Sequence, residues 1–341
     1  MSTTTEAPPM LKVEGLVKVF GGSRRHPGVK VLHGVDLEIA RGEILGLVGE
    51  SGSGKSTTGR CVVRLTDATD GSVLFDGVDL ARLKGERLRR HRRRIQMVFQ
   101  DPASSLDSRM TILQSVVEPL NVHSIGEPAG RKAVALAMLE RVGLVDRLAH
   151  AKPHALSGGQ QQRAAIARAL VTEPDLVILD EPVSALDVSV RAQVLNLLKD
   201  LQRERGLSYL FIVHDLAIAE YFSDRVMVMY GGRIMESGPA TELFRAPSHP
   251  YTRALLSAVP LPDPRIRPAD DAPPPMAVEG NVPRVSQTGC AFANRCHVRA
   301  GRDICVEQAP ELRPGAAGHP VACHFRDELF SAPTTHGGRP E

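Results

Sequence analysis

Eight consecutive residues, Gly49-Glu50-Ser51-Gly52-Ser53-Gly54-Lys55-Ser56, satisfy the Gly-x4-Gly-Lys-Ser pattern of a phosphate-binding loop without a mismatch. A glycine-rich turn of this kind points backbone N–H groups at an anion, and the helix expected to start at Thr57 adds its positive end. Lys55 supplies a charge for β- and γ-phosphates, and Ser56 a hydroxyl for Mg²⁺. Far along the chain, Leu176-Val177-Ile178-Leu179 runs into Asp180-Glu181. That spacing predicts two carboxylates at the carboxyl end of a buried strand, Asp180 to hold Mg²⁺ and Glu181 to orient or deprotonate water. Between them, Leu156-Ser157-Gly158-Gly159-Gln160 opens a helical stretch and forms a second candidate anion site.

Regular elements must hold these groups in place. Residues 11–259 alternate short β-rich apolar runs with longer stretches of helical period, which predicts an α/β domain with a mostly parallel sheet. Ile44 to Val48, Leu176 to Leu179 and Leu210 to Val213 are continuous apolar runs of the kind covered on both faces. Arg191 to Gln202 carries apolar residues at Val194, Leu195, Leu197, Leu198 and Leu201, which predicts a helix with one buried face. From Pro260 to Pro283 eight of 24 residues are proline, so residues 260–288 read as a linker. Residues 289–326 are too few for an apolar core of their own, and residues 327–341 read as a disordered tail.

Composition excludes other classes. With 42 Lys and Arg against 39 Asp and Glu, the formal charge is only +3, and aromatics are 4% with no Trp. A base-stacking nucleic-acid platform is therefore disfavoured, and the arginine-rich run from Arg87 to Arg94 reads as a solvated face near a membrane partner. No apolar run approaches the roughly 18 to 20 residues that span a bilayer, and the first ten residues lack the pattern of a secretory signal. A cytosolic setting disfavours disulfides, which directs attention to Cys290, Cys296, Cys305 and Cys323, four of the five cysteines, in the last fifth of the chain. Four thiolates suit an iron–sulfur cluster or a structural Zn²⁺, with His297, His319 and His324 as further zinc donors; four free thiols are the third reading. Cys61 reads as a small core residue.

Together, the phosphate loop, the Ser157 pentapeptide and Asp180-Glu181 resemble the ATP-binding subunits of the ATP-binding cassette (ABC) superfamily. The resemblance extends to Gln100 as the Q-loop glutamine, which senses γ-phosphate and Mg²⁺; to Ser184-Ala185-Leu186-Asp187 as the D-loop; and to His214 as the switch histidine. Phe20 stands where the family stacks an aromatic on adenine. The implied fold is an ABC-type P-loop NTPase: a mostly parallel sheet core, a β subdomain and a helical subdomain bearing the signature turn, with a small cysteine-containing C-terminal extension. ATP and Mg²⁺ are the implied ligands, bound through residues 49–57, Gln100, Asp180 and Phe20. Catalysis is expected from Glu181, His214 and Lys55, while Ser157, Gly158, Gly159 and Gln160 face nucleotide held by a second subunit.

Finer matches are Gln96-Met97-Val98-Phe99-Gln100-Asp101-Pro102, Asp180 to Ser189 and His249-Pro250-Tyr251-Thr252. They resemble the oligopeptide/dipeptide permease ATPases, more the F-type than the D-type subunit, with Ser108 and Gln161 as small departures. The same subfamily includes nickel importers, so the peptide substrate is a weaker expectation than the subfamily. The resemblance implies a hetero- or homodimeric ATPase pair at the cytoplasmic face of the membrane. Two permease subunits and an extracytoplasmic solute-binding protein complete the expected assembly. It also implies a [4Fe–4S] cluster on the four late cysteines. No nucleic-acid partner is expected; a soluble ABC ATPase acting on nucleic acid is the rival reading.

Overall fold

The computed structural model describes residues 8–22, 28–145, 147–257, 288–315 and 318–328. Almost all of the proline-rich linker, residues 329–341 of the tail and the centre of the loop after Phe20 lie outside them.

Among the described residues the strands form two sheets. The smaller contains β1 (Leu11–Phe20), β2 (Val29–Ile39), β4 (Asp70–Phe75) and β5 (Val78–Asp79), antiparallel in the order β2-β1-β4-β5. The larger is centred on five parallel strands in the order β6-β7-β8-β3-β9, namely Ile95–Val98, Leu176–Asp180, Ser208–Val213, Ile44–Val48 and Arg225–Tyr230. Every residue of β3, β7 and β8 is buried. This follows from their unbroken apolar runs, since βαβ crossovers lay helices or the second sheet on both faces. Polar residues can enter such strands only at their ends, so Asp180, Glu181 and His214 come out along one edge.

The helical subdomain is built from Ile112–Val122, Arg131–Arg141 and Gly158–Leu170. The last buries Ala164, Ile166, Ala167 and Leu170, and starts three residues earlier than its apolar period suggests because Ser157 and Gln160 form a capping box. Helix Gly85–Arg94 buries no residue, as the arginine run predicts, and some of its arginines have partners. Arg92 donates to the carbonyl oxygens of Val63 and Arg64, Arg94 joins Asp76 to Asp175, and Arg89 engages Glu86 and Val122 O. The face is solvated as expected, with Arg87, Arg89, Arg90 and Arg93 exposed, while Arg92 and Arg94 fasten the helix to the segment after Lys55–Val62 and to the ends of β4 and β7.

The C-terminal segment adds to the large sheet. β10 (Arg233–Pro239) pairs antiparallel with β9, β12 (Pro320–Val321) pairs with β10 at Glu236, and β11 (Arg313–Pro314) closes the edge. A register shift between Ile234 and Glu236 interrupts the alternation of β10, and the Glu236 side chain is fully buried. Its carboxylate accepts from the N–H groups of Ser248 (2.7 Å) and His249 (3.1 Å), just ahead of helix Pro250–Ser257, and from His319 Nε2 (2.6 Å). One buried charge thus joins cassette, following helix and extension. Cys290, Phe292 and Cys305 belong to the same apolar cluster as the cassette core, so the extension shares a core rather than making its own.

His249 is also buried, and its Nδ1 accepts the Tyr251 N–H at 3.0 Å, which requires the neutral ring. Burial pushes its pKa down to about 4, against an opposing pull from Glu236. The unfolded chain, with an ordinary histidine, takes up a proton that the fold excludes, so stability is full above pH 6.5 and falls as pH drops towards 4. Lowering pH from 7 to 5 should cost about 2 kcal/mol through this group. Urea midpoints at the two pH values should diverge less in His249→Asn than in the parent; an equal divergence would remove His249 as the cause.

Candidate functional site

β3 runs directly into the phosphate loop, and helix Lys55–Val62 begins inside it. Two glycines are forced by the geometry. A Cβ at Gly49 would lie 2.1 Å from the Met229 carbonyl oxygen, and Gly54, at φ 106°, would drive a Cβ to 2.9 Å from Leu32. The Lys55 side chain is buried and turns back over the loop, donating to Gly49 O (2.7 Å) and Glu50 O (2.9 Å). Burial lowers its pKa, while Glu181, Asp180 and Glu50 oppose that shift and favour the ammonium.

Residues 124 apart in sequence meet where Ser56 Oγ donates to Asp180 Oδ1 at 2.7 Å. Burial raises the Asp180 pKa, partly offset by Ser56 and Arg60. Hydroxyl and carboxylate together form an oxygen donor pair suited to Mg²⁺. Glu181 follows in the left-handed region at φ 47°, a strained conformation held by its N–H on Ile212 O (2.9 Å) and by the Ser184 hydroxyl on its carbonyl (3.1 Å). Its Oε2 accepts from Gln100 Nε2 at 2.9 Å and lies 3.2 Å from His214 Nδ1. The His214 hydrogen bond lowers the Glu181 pKa against burial, and Glu181 raises that of His214. An ionised carboxylate fixed by two side chains can accept a proton from water.

The remaining predicted residues lie outside this hydrogen-bonded group. Phe20 ends β1 with 43% of its surface exposed, and Lys18 Nζ lies 4.7 Å from its ring centroid. Ser157 and Gln160 bond reciprocally, Ser157 N–H to Gln160 Oε1 (2.9 Å) and Gln160 N–H to Ser157 Oγ (3.4 Å), at an exposed helix start. A Cβ on Gly159 would collide with Val190 at 2.4 Å, so the signature turn is packed tightly on the helix Val188–Arg205 that follows the Ser184 to Asp187 segment. The helix end presented to solvent makes no hydrogen bond to the chain's own phosphate loop among those of the described residues.

All four late cysteines line one pocket, walled by Phe292, Val298 and Phe325. None is in a disulfide, and Cys61 is fully buried in the core. Burial pushes the Cys290 thiol up to about 11 and Cys323 up to about 12, so a cation must displace protons to bind. Among the described residues, no three His, Cys, Asp or Glu side chains are placed to hold a single metal ion. His319 is committed to Glu236, and His324 Nε2 bonds Gln308 O. Sequence reasoning missed Arg295, Tyr251 and Glu236, whose roles arise from pairings across 245, 201 and 83 residues.

Comparison with known proteins follows the same outline. A family model for ABC transporters matches residues 32–184, and one for the C-terminal region of oligopeptide/dipeptide transporters matches residues 235–305. The oligopeptide transport ATP-binding protein AppF of Bacillus subtilis is 47% identical over 305 residues, covering 89% of this chain and 91% of AppF. The chain belongs to the ATP-binding subunits of the oligopeptide/dipeptide ABC transporter family. A Brucella ovis chain named for peptide import is 49% identical over 323 residues, 94% of this chain and 99% of its own. Among solved structures, the dimeric ABC cassette MJ0796 in a post-hydrolysis state with ADP and Pi matches with TM-score 0.62 and 33% identity, over 68% of this chain and 99% of that one. The cbiO1 cassette of Clostridium perfringens matches with TM-score 0.61 and 31% identity, over 70% and 91%.

Two substitutions separate binding from turnover. Glu181→Gln keeps the Gln100 and His214 neighbours but cannot take a proton, so ATP hydrolysis should fall at least about 100-fold while ATP binding persists. Lys55→Ala should instead weaken ATP binding by about 100-fold in an equilibrium titration. Unchanged turnover in the first, or unchanged affinity in the second, would reassign that side chain.

Proposed function

We propose that this chain is the ATPase subunit of a peptide importer, bound peripherally at the cytoplasmic face of the membrane. The carrying observation is the convergence of Lys55, Ser56, Gln100, Asp180, Glu181 and His214 on one sheet edge, in a chain whose C-terminal region matches the oligopeptide/dipeptide model. In this reading the loop 49–56 and Lys55 hold the phosphates of ATP, Ser56 and Asp180 hold its Mg²⁺, and Gln100 reaches towards γ-phosphate. Glu181 takes the proton of the attacking water, and His214 orients the same carboxylate. Phe20, exposed at the strand end, stacks on adenine.

The exposed cap of Ser157 and Gln160 turns the N–H groups of a 13-residue helix outward, which suits nucleotide held by a partner ATPase. The dimeric relative with ADP and Pi supports the same pairing. A groove lined by Gln96, Phe99, Glu118, Val122 and Arg168 lies beside Gln100, where a permease segment would feel its movement. No helix among the described residues is long and apolar enough to cross a membrane, and in this reading two permease subunits, fed by a solute-binding protein, supply the pathway.

For the cysteine pocket, the proposed occupant is a [4Fe–4S] cluster. Four thiols lining one pocket with an apolar wall suit its all-thiolate donor set, and a structural zinc is the alternative. Bound there, the cluster would staple a segment too short to hold itself together.

Peptide-dependent ATP hydrolysis by proteoliposomes containing the chain, its partner ATPase, the permeases and the binding protein should vanish with Glu181→Gln. Stimulation by nickel and not by peptide would shift the substrate, and a stable nucleic-acid complex without membrane subunits would overturn the importer reading. Anaerobically purified protein should contain iron and acid-labile sulfide; zinc without sulfide would exclude the cluster.

A further inference from the structure

The five residues between Cys290 and Cys296 reach Glu50 of the phosphate loop directly through Arg295 and indirectly through Phe292, which packs on Tyr251. Arg295, next to Cys296 at the end of a single helical turn Ala293–Arg295, places its guanidinium 2.8 Å from Glu50 Oε2. Phe292, a wall of the cysteine pocket, packs 5.3 Å from the Tyr251 ring, whose hydroxyl oxygen accepts the Glu50 N–H at 3.0 Å. Both members of the ion pair are largely shielded, with side chains 20% and 17% exposed, and Arg295 also leans on the Tyr230 ring.

Glu50 makes this contact consequential. It lies inside the turn that must receive a polyanion, and its other oxygen, Oε1, is buried without a hydrogen-bond partner among the described residues. Lys55 bonds the carbonyl of the same residue. Arg295 is therefore the extension's counter-charge to a carboxylate beside the phosphates; without it, Glu50 would repel ATP and compete for Lys55. Backbone bonds fix where Arg295 stands, from Arg295 N–H to Phe292 O (3.0 Å) and from Cys290 N–H to Cys305 O (2.8 Å). The guanidinium can reach Glu50 only while the cysteine pocket holds its shape.

We infer that Arg295 is a positioning residue for ATP binding, and that through it the integrity of the four-cysteine pocket sets the nucleotide affinity of the phosphate loop. The inference rests on the reading of residues 49–56 as the ATP site, not on which group the cysteines hold. Iron content and nucleotide affinity are separate measurements, and a wild-type chain that fails to bind nucleotide would signal failure of the ATP-site reading itself.

The test is an equilibrium titration of the full chain with Mg²⁺ and trinitrophenyl-ATP, with thermal melts run alongside. Arg295→Met should weaken binding about tenfold. Arg295→Lys should recover part of the loss, and Arg295→Met with Glu50→Gln should recover most of it, because the uncompensated charge is then gone. A merely structural role for Arg295 would give no such recovery. Cys296→Ser and Cys323→Ser, from separate parts of the pocket's wall in sequence, should each weaken binding in the parent but add nothing in the Arg295→Met, Glu50→Gln background. Parental affinity in Arg295→Met, or no recovery in the double variant, overturns the charge link. Parental affinity in both cysteine variants overturns the dependence on the pocket.

Discussion

A single buried ammonium, Lys55, must coexist with three carboxylates, Glu50, Asp180 and Glu181, and still leave room for a phosphate chain. Few folds can hold four such charges side by side, because each loses most of its hydration on burial. The five-stranded parallel core does it by confining charge to the ends of strands whose interiors are nearly all apolar. Each carboxylate then receives its own partner: Ser56 for Asp180, Gln100 and His214 for Glu181, and Arg295 for Glu50.

This division of partners explains why the chain does not stop being structurally relevant at the end of its cassette. The extension supplies Arg295 to the phosphate loop, Phe292 to an aromatic cluster with Tyr230 and Tyr251, and His319 to the buried Glu236. A segment of this length cannot exclude water from a core unaided, so it borrows the cassette's core and the edge of its sheet. In return the edge strand β10 is covered, and a carboxylate beside the nucleotide is neutralised. The same economy holds in the arginine-rich helix, where Arg94 joins Asp76, after β4, to Asp175, ahead of β7, and Arg92 holds the carbonyl oxygen of Arg64.

Much of the site could be read from the sequence because its chemistry is local. The phosphate loop needs consecutive glycines at a fixed distance from Lys55, and Asp180-Glu181 must follow an apolar run. Gln100 and His214 sit just past strands for the same reason. Helix starts were less legible: the capping box at Ser157 begins its helix ahead of the apolar period, since a cap is chosen by hydrogen bonding and not by burial. The arginine run is solvent-facing, as its composition suggests, but composition does not record that a carbonyl or carboxylate stands opposite Arg92 and Arg94.

By itself, the sequence determined that an ABC-type nucleotide fold is present, which polar side chains stand in the phosphate loop and at the strand ends, and that four thiols are gathered late in the chain. Those features depend on patterns spanning a few residues, where covalent geometry already limits the outcome. Only the tertiary structure decided that Glu50 meets Arg295, that Glu236 is buried under His319, and that the extension completes the large sheet. Such pairings join residues 83 to 245 positions apart, and what selects them is the cost of burying a charge without a partner, a quantity no local pattern contains.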